Sequence, residues 1–183
     1  MRHILLATAL CLAGGAAAHA EPVTDAGSGL AVDPPAGYRA ELAPGGAGQQ
    51  ARIIIRQATD KRDTGCMAGF SGAKSQPDMT QAELNKAARE LDMGQIATQA
   101  IGAIYDVRST APFEHAGVYG LMMVADIKQL PNIPPRSQEV RSMMVMLDTP
   151  KGRTTIVCVG EKTEFEQRLA EYQQVARSVS PPG

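Results

Sequence analysis

The sequence predicts an α+β domain: an antiparallel sheet of about five to seven strands packed by helices and tied by one disulfide. Three observations carry this expectation. Strongly apolar or β-branched runs recur in both halves of the chain, at 51–58, 118–127 and 140–147. Two stretches with helical spacing open on Thr-x-x-Glu, at Thr80–Glu83 and Thr163–Glu166, the pattern of a capping box. Two cysteines, Cys66 and Cys158, lie in strand-like flanks far apart in the chain.

Residues 1–20 read as an export leader. Arg2 and His3 make a charged start, Ile4 to Leu12 an apolar run, and Ala18-His19-Ala20 a small-residue cleavage site. The run is shorter than the ~20 residues that span a bilayer, so no membrane anchor is expected from it. A lipid-anchored variant is disfavoured because Cys11 follows Leu10 and not a small residue. The expected mature chain, 21–183, is a single domain that is periplasmic or secreted after cleavage following Ala20.

The leader holds Arg2 and no acid, so the remainder carries 17 basic and 19 acidic side chains, a net charge of −2. Basic residues are scattered. Nucleic acid and anionic membrane surfaces, which need a basic excess, are therefore not expected partners. Seven aromatics and no Trp also weigh against stacking platforms for bases or sugars.

Along the chain, 21–29 reads as a loose lead-in and Pro34-Pro35 starts a strand near Tyr38. Pro44 to Gly48 is a loop, and Ala51–Ala58, with Ile53, Ile54 and Ile55, is a strand. Asp60 to Asp63 is a charged turn. Beyond it Cys66, Ala68 and Phe70 share one strand face. In the helical middle, Leu84, Ala87, Ala88 and Leu91 form an apolar stripe, Gly94 interrupts, and Ala97, Ile101, Ile104 and Tyr105 resume the spacing, although IATQAIGAIYDV also fits an extended chain. From Asp106 the pattern turns to β. Val118–Ile127 and Val140–Leu147 are apolar on both faces, as central strands covered by helices are. Asp148 to Arg153, with Pro150 and Gly152, turns the chain into Thr154–Val159. Phe165, Leu169, Tyr172, Ala176 and Val179 mark a final helix that Ser180-Pro-Pro ends.

With Cys11 removed by cleavage, two cysteines remain. An even count in an oxidising compartment reads as a Cys66–Cys158 bridge. The competing reading, a redox pair, normally uses Cys-x-x-Cys at a helix start, which neither flank provides. His115 is the only histidine outside the leader, so a His-based metal site has too few ligands. Glu114 and His115, where a loop meets a strand, are the first place to look for a site. A hydrolase using His115 with a nearby Ser or carboxylate is one alternative, but Ser109 and Ser142 lack a Gly-x-Ser-x-Gly elbow. The pairing of Asp106 with Glu114 for acid–base work is not specified by spacing. Copper handling through methionine is another alternative, since soft thioethers suit Cu(I). Adjacent Met122-Met123 and Met143-Met144 point to opposite strand faces, leaving Met144 and Met146 together. Core packing explains them without metal. No phosphate-binding glycine motif and no cofactor fingerprint is present.

The segments GYRAEL, GCMAGF, YDVRSTAPFEHAG, LDTPKGRTTIVCV and FEQRLAEYQQVARSV resemble small exported proteins of Gram-negative bacteria. That resemblance implies no activity and no site residue. More distantly, the Pro35-Ala-Gly-Tyr38 opening strand and the closing helix are similar to the Mog1/PsbP-like α/β/α sandwich. Together these readings imply an exported accessory or binding protein that is not catalytic, with an unknown protein or small-molecule partner and no cofactor.

Overall fold

The computed structural model describes residues 21–183 apart from 47 and 74–77; the expected leader lies outside the described residues. Seven antiparallel strands form the main sheet: β3 (Tyr38–Ala43), β4 (Ala51–Gln57), β5 (Gly65–Gly72), β6 (Tyr105–His115), β7 (Val118–Ile127), β8 (Val140–Thr149) and β9 (Gly152–Glu161). Their spatial order is β3-β4-β5-β9-β8-β7-β6. Every neighbouring pair but one is consecutive in sequence. The exception is β5 against β9, where Cys66 faces Cys158 in register and the two are bridged. A smaller sheet joins β1 (Val23–Thr24), β2 (Ala31–Val32) and β10 (Val179–Ser180). The lead-in expected to be loose is therefore structured: Asp25 accepts bonds from Ser28 N and Oγ, both at 2.7 Å, and the turn delivers Leu30 to the core.

Local chemistry sets the turns. The β6–β7 hairpin turns on Ala116 and Gly117, with φ of 52° and 75°, the doubly left-handed geometry that matches strand twist. Alanine is held in this conformation against its own preference. At the β8–β9 turn Gly152 has φ 148° and its Cα approaches the β5 backbone, where any Cβ would strike Ser71 O.

One face of the sheet carries Ile53, Ile55, Ala68, Phe70, Met143, Val145, Leu147 and Ile156, all buried. Against it packs α3 (Phe165–Arg177) through Phe165, Tyr172, Val175 and Ala176. Burying each such side chain contributes roughly 1.5–3 kcal/mol, so this layer is the main source of stability. The capping box expected at Thr163 does not form. The helix starts one residue later, on Glu164, and Arg141 Nη1 holds the Glu166 carboxylate at 2.9 Å.

The opposite face is covered over β6, β7 and β8 by α1 (Gln81–Glu90) and α2 (Met93–Ile101). The capping box at Thr80 is present, with Thr80 N donating to Glu83 Oε2 at 2.7 Å. The apolar stripe expected on α1 is not buried, and Leu91 is exposed. This helix docks by polar bonds instead: Gln81 Nε2 to Asp148 O, Asn85 Nδ2 to Gly117 O, and Tyr119 N to Asn85 Oδ1. The helical break falls at Leu91-Asp92, not Gly94, because Asp92 caps α2 by accepting from Gln95 N at 2.9 Å. Ala97, Met93 and Ile101 then pack on Leu121, Met123, Ala125 and Met144, while Ile104 is exposed and Tyr105 already belongs to β6.

The bridge closes a loop of about 90 residues, for which chain entropy gives ~4 kcal/mol. The Cys66→Ala/Cys158→Ala variant is expected to lose about that much stability in urea titration, with the native β-rich circular dichroism retained in water.

Candidate functional site

Glu114 and His115 end β6, and strand alternation sends their side chains to opposite faces. His115 Nε2 donates to Val179 O at 2.9 Å, tying β6 to the closing strand β10. A carbonyl accepts only, so this bond fixes the proton on Nε2. Arg177 reinforces the closure, stacking 4.8 Å from the Phe113 ring and donating to Glu114 O at 2.9 Å. On the other face the Glu114 carboxylate meets Arg89 of α1 at 3.0 Å, and Arg89 lies 4.6 Å over the Tyr119 ring. Asn85, Arg89, Glu114, His115, Gly117 and Tyr119 surround a shallow recess of 280 Å³.

Among the described residues no Ser, Thr, Cys or Lys lines that recess. Ser109 lies six residues along β6 from His115, about 20 Å at the strand rise. Ser142 pairs with Ala125, while His115 pairs with Val118 at the far end of β7. Asp106 and Glu114 stand roughly 25 Å apart on the same strand, too far for paired acid–base work. The structure therefore brings Glu114 and His115 to one recess but engages each in a fold-tying contact.

Met123, Met143 and Met144 are buried, and Met67, Met79, Met93, Met122 and Met146 are half-buried. Met123 faces Met144 across β7 and β8, buried beneath α2 with Leu121 and Ala125, and half-buried Met146 packs beside them. Met144 and Met146 share their cluster with buried Met123 and half-buried Met93, all packed among apolar neighbours. Met122, on the other face, accepts from Gln173 Nε2. Among the described residues no group of three His, Cys, Asp or Glu side chains is arranged to hold a metal.

One electrostatic cluster is not revealed by residue spacing. Asp126, 3% exposed, ends the apolar run of β7 and faces the α3 side. Arg141 Nε donates to its Oδ1 and Arg108 Nε to its Oδ2, each at 2.9 Å, and Lys162 Nζ approaches at 3.7 Å. Arg108 reaches this position because it is the extra residue of a β-bulge between Val107 and Ser109. Burial alone raises the Asp126 pKa, but the bonds from Arg141 and Arg108 outweigh it, and the net shift is downward. The one legible clue is alternation: Asp126 falls in phase with Met122 and Val124, a face that is otherwise apolar.

Two further networks hold loops to the sheet. Arg136 bridges Asp63, Glu139 and Glu161, and Lys61 joins Glu161 at 2.7 Å. Arg136 and Lys61 hold the Glu161 carboxyl down to about 2. Arg168 of α3 contacts the fully buried Asp60 carboxylate at 2.9 Å and lies 4.9 Å over the Tyr172 ring. Burial pushes the Tyr172 hydroxyl up to about 12, although Arg168 opposes the shift.

No family model matches the chain, and no curated protein matches it in sequence. The solution structure of cyanobacterial PsbP (CyanoP) from Synechocystis sp. PCC 6803 superposes with a TM-score of 0.56, covering 94% of this chain and 98% of that one. The fold is PsbP-like. Identity over the match is 13%, so the likeness is one of architecture and carries no residue across.

Asp126→Asn is expected to cost about 3 kcal/mol near neutral pH, because Arg141 and Arg108 then lack their buried counter-charge. A carboxylate whose folded pKa is depressed stabilises fully above its ordinary value near 4 and loses that contribution as pH falls through the folded pKa. The stability gap between wild type and Asp126→Asn should be constant from pH 7 to about 5. It should close below about pH 4 in urea titrations at each pH.

Proposed function

We propose that this is an exported accessory or binding protein of the bacterial periplasm, acting through its surface and not through catalysis. The observation that carries the reading is the distance of the candidate nucleophiles from His115. Its Nε2 proton goes to the β10 backbone, and Ser109 and Ser142 lie far along the sheet from the ring. A general base needs to reach the proton it takes within about 3 Å, directly or through one water.

Other features support the reading. The leader-like residues 1–20 and the Cys66–Cys158 bridge fit an oxidising, extracytoplasmic compartment. No helix among the described residues is long and apolar enough to cross a membrane. The PsbP-like fold suggests an accessory role. The absence of a basic excess points to a protein or small-molecule partner.

Expressed in a Gram-negative host and recovered from the periplasm, the chain should give a native mass beginning at Glu21 and two hydrogens lighter than the reduced form. It should carry no adduct. His115→Ala should lose about 1 kcal/mol of stability and no measurable turnover. A bound metal or small molecule, or a hydrolytic activity that vanishes in His115→Ala, would overturn the reading.

A further inference from the structure

On the face that α1 and α2 cover, these helices pack mainly on β6–β8 among the described residues, away from the β9-to-β3 half. Register alignment runs an unbroken row across this face: Glu41, Ile54, Met67, Val157, Met144 and Met123 stand side by side on consecutive strands. Its Met144–Met123 end lies beneath α2. Its Ile54–Met67–Val157 end is as apolar, yet these three side chains are only half-buried. With Arg52, Arg56 and Arg62 they line a shallow trough of 190 Å³.

Charge singles out the same corner. Six arginines of the described chain, at 89, 108, 136, 141, 153 and 168, pair with carboxylates, and Arg177 bonds a backbone carbonyl. Arg39, Arg52, Arg56 and Arg62 likewise have no carboxylate partner among the described residues, and Arg56 Nη2 donates to Arg62 O at 2.9 Å. Arg52, Arg56 and Arg62 line the trough, and Arg39 stands directly opposite Arg56 in register. Like charges facing each other across two strands are unfavourable without an anion. Arg52 Nε is buried and has no hydrogen-bond partner among the described residues. Of the acids nearby, Asp60 is held by Arg168, Asp63 by Arg136, and Glu41 sits on the edge strand.

We propose that this half-face docks an acidic, apolar segment of a partner protein. Its carboxylates would sit on Arg39, Arg52, Arg56 and Arg62, and its apolar side chains on Ile54, Met67 and Val157. The proposal rests on the accessory-protein reading and gives it a surface and a partner chemistry. Arginine forks suit carboxylates in paired hydrogen bonds. The trough is smaller than the ~300 Å³ or more of pockets that enclose small ligands. A net-negative chain with its apolar residues on a recessed floor is poorly matched to an anionic lipid surface.

The test is an amide NMR titration of the periplasm-purified chain with a seven-residue peptide alternating Glu and Val, and in parallel with its Lys/Val counterpart. The Glu/Val peptide should shift Ile54, Met67, Val157, Arg52 and Arg56, and added salt should weaken it. Arg39→Glu/Arg56→Glu, two exposed substitutions, should lower its affinity at least tenfold with the rest of the spectrum unchanged. The proposal is overturned by an unchanged spectrum at millimolar Glu/Val peptide, by shifts confined to other surfaces, or by equal binding of the Lys/Val peptide. It is also overturned if phosphatidylglycerol vesicles bind the chain and the Glu/Val peptide does not. Turnover lost in His115→Ala would sink the accessory reading whatever the titration shows. A silent titration without turnover would sink only the docking surface.

Discussion

The antiparallel ladder between β5 and β9 joins two sheet halves that are otherwise built from neighbours in sequence. β3, β4 and β5 form one run of hairpins and β6, β7, β8 and β9 another, so the 92-residue separation of Cys66 and Cys158 is spanned by this ladder alone within the main sheet. Closing so long a loop is entropically costly, and the bridge removes much of that cost from the unfolded chain. Once the ladder is set, Ile55, Ala68, Ile156 and Met143 lie on one continuous surface, and only then does α3 have a floor for Phe165 and Tyr172. The same ladder aligns Ile54, Met67 and Val157 on the other face.

Polar side chains in this chain mostly position elements. Asp60 with Arg168 anchors the 60–64 loop to α3, Arg136 with Asp63 ties that loop to the short 3-10 turn Pro135–Gln138, and Asp126 gathers β6, β7, β8 and Lys162. His115 and Arg177 fasten the C-terminal end of α3 and β10 to the tip of β6. Against that background, Arg39, Arg52, Arg56 and Arg62 share one corner with no acidic partner among the described residues.

Much of the fold was legible from sequence because strand alternation and turn chemistry are local. The Asp148–Arg153 turn, the Ile53–Ile55 strand, the Thr80 cap and the shared face of Cys66, Ala68 and Phe70 all follow from neighbours within a few residues. What failed depended on distant partners. Leu84, Ala87 and Ala88 have helical spacing, but α1 is held by Gln81 and Asn85 reaching hairpin backbone, which periodicity does not encode. Glu166 has the right offset for a capping box, yet Arg141 from β8 claims its carboxylate. Glu114 and His115 lie where β6 meets its turn, as the sequence pattern predicts. Its role was not legible, because the partner of His115 is a carbonyl 64 residues away. Asp126 and the arginine corner escaped notice for the same reason: both appear only when strands are placed in register.

The most direct measurement is native-state hydrogen exchange of the oxidised and reduced protein. If the β5–β9 ladder carries the fold, its amides in the oxidised protein should exchange only through global unfolding, in the slowest class with β8. On reduction, protection in the β3–β5 and β6–β9 halves should fall together. Amides of β5 and β9 that exchange faster than those of β7 and β8 in the oxidised protein, or halves that keep separate protection after reduction, would contradict it.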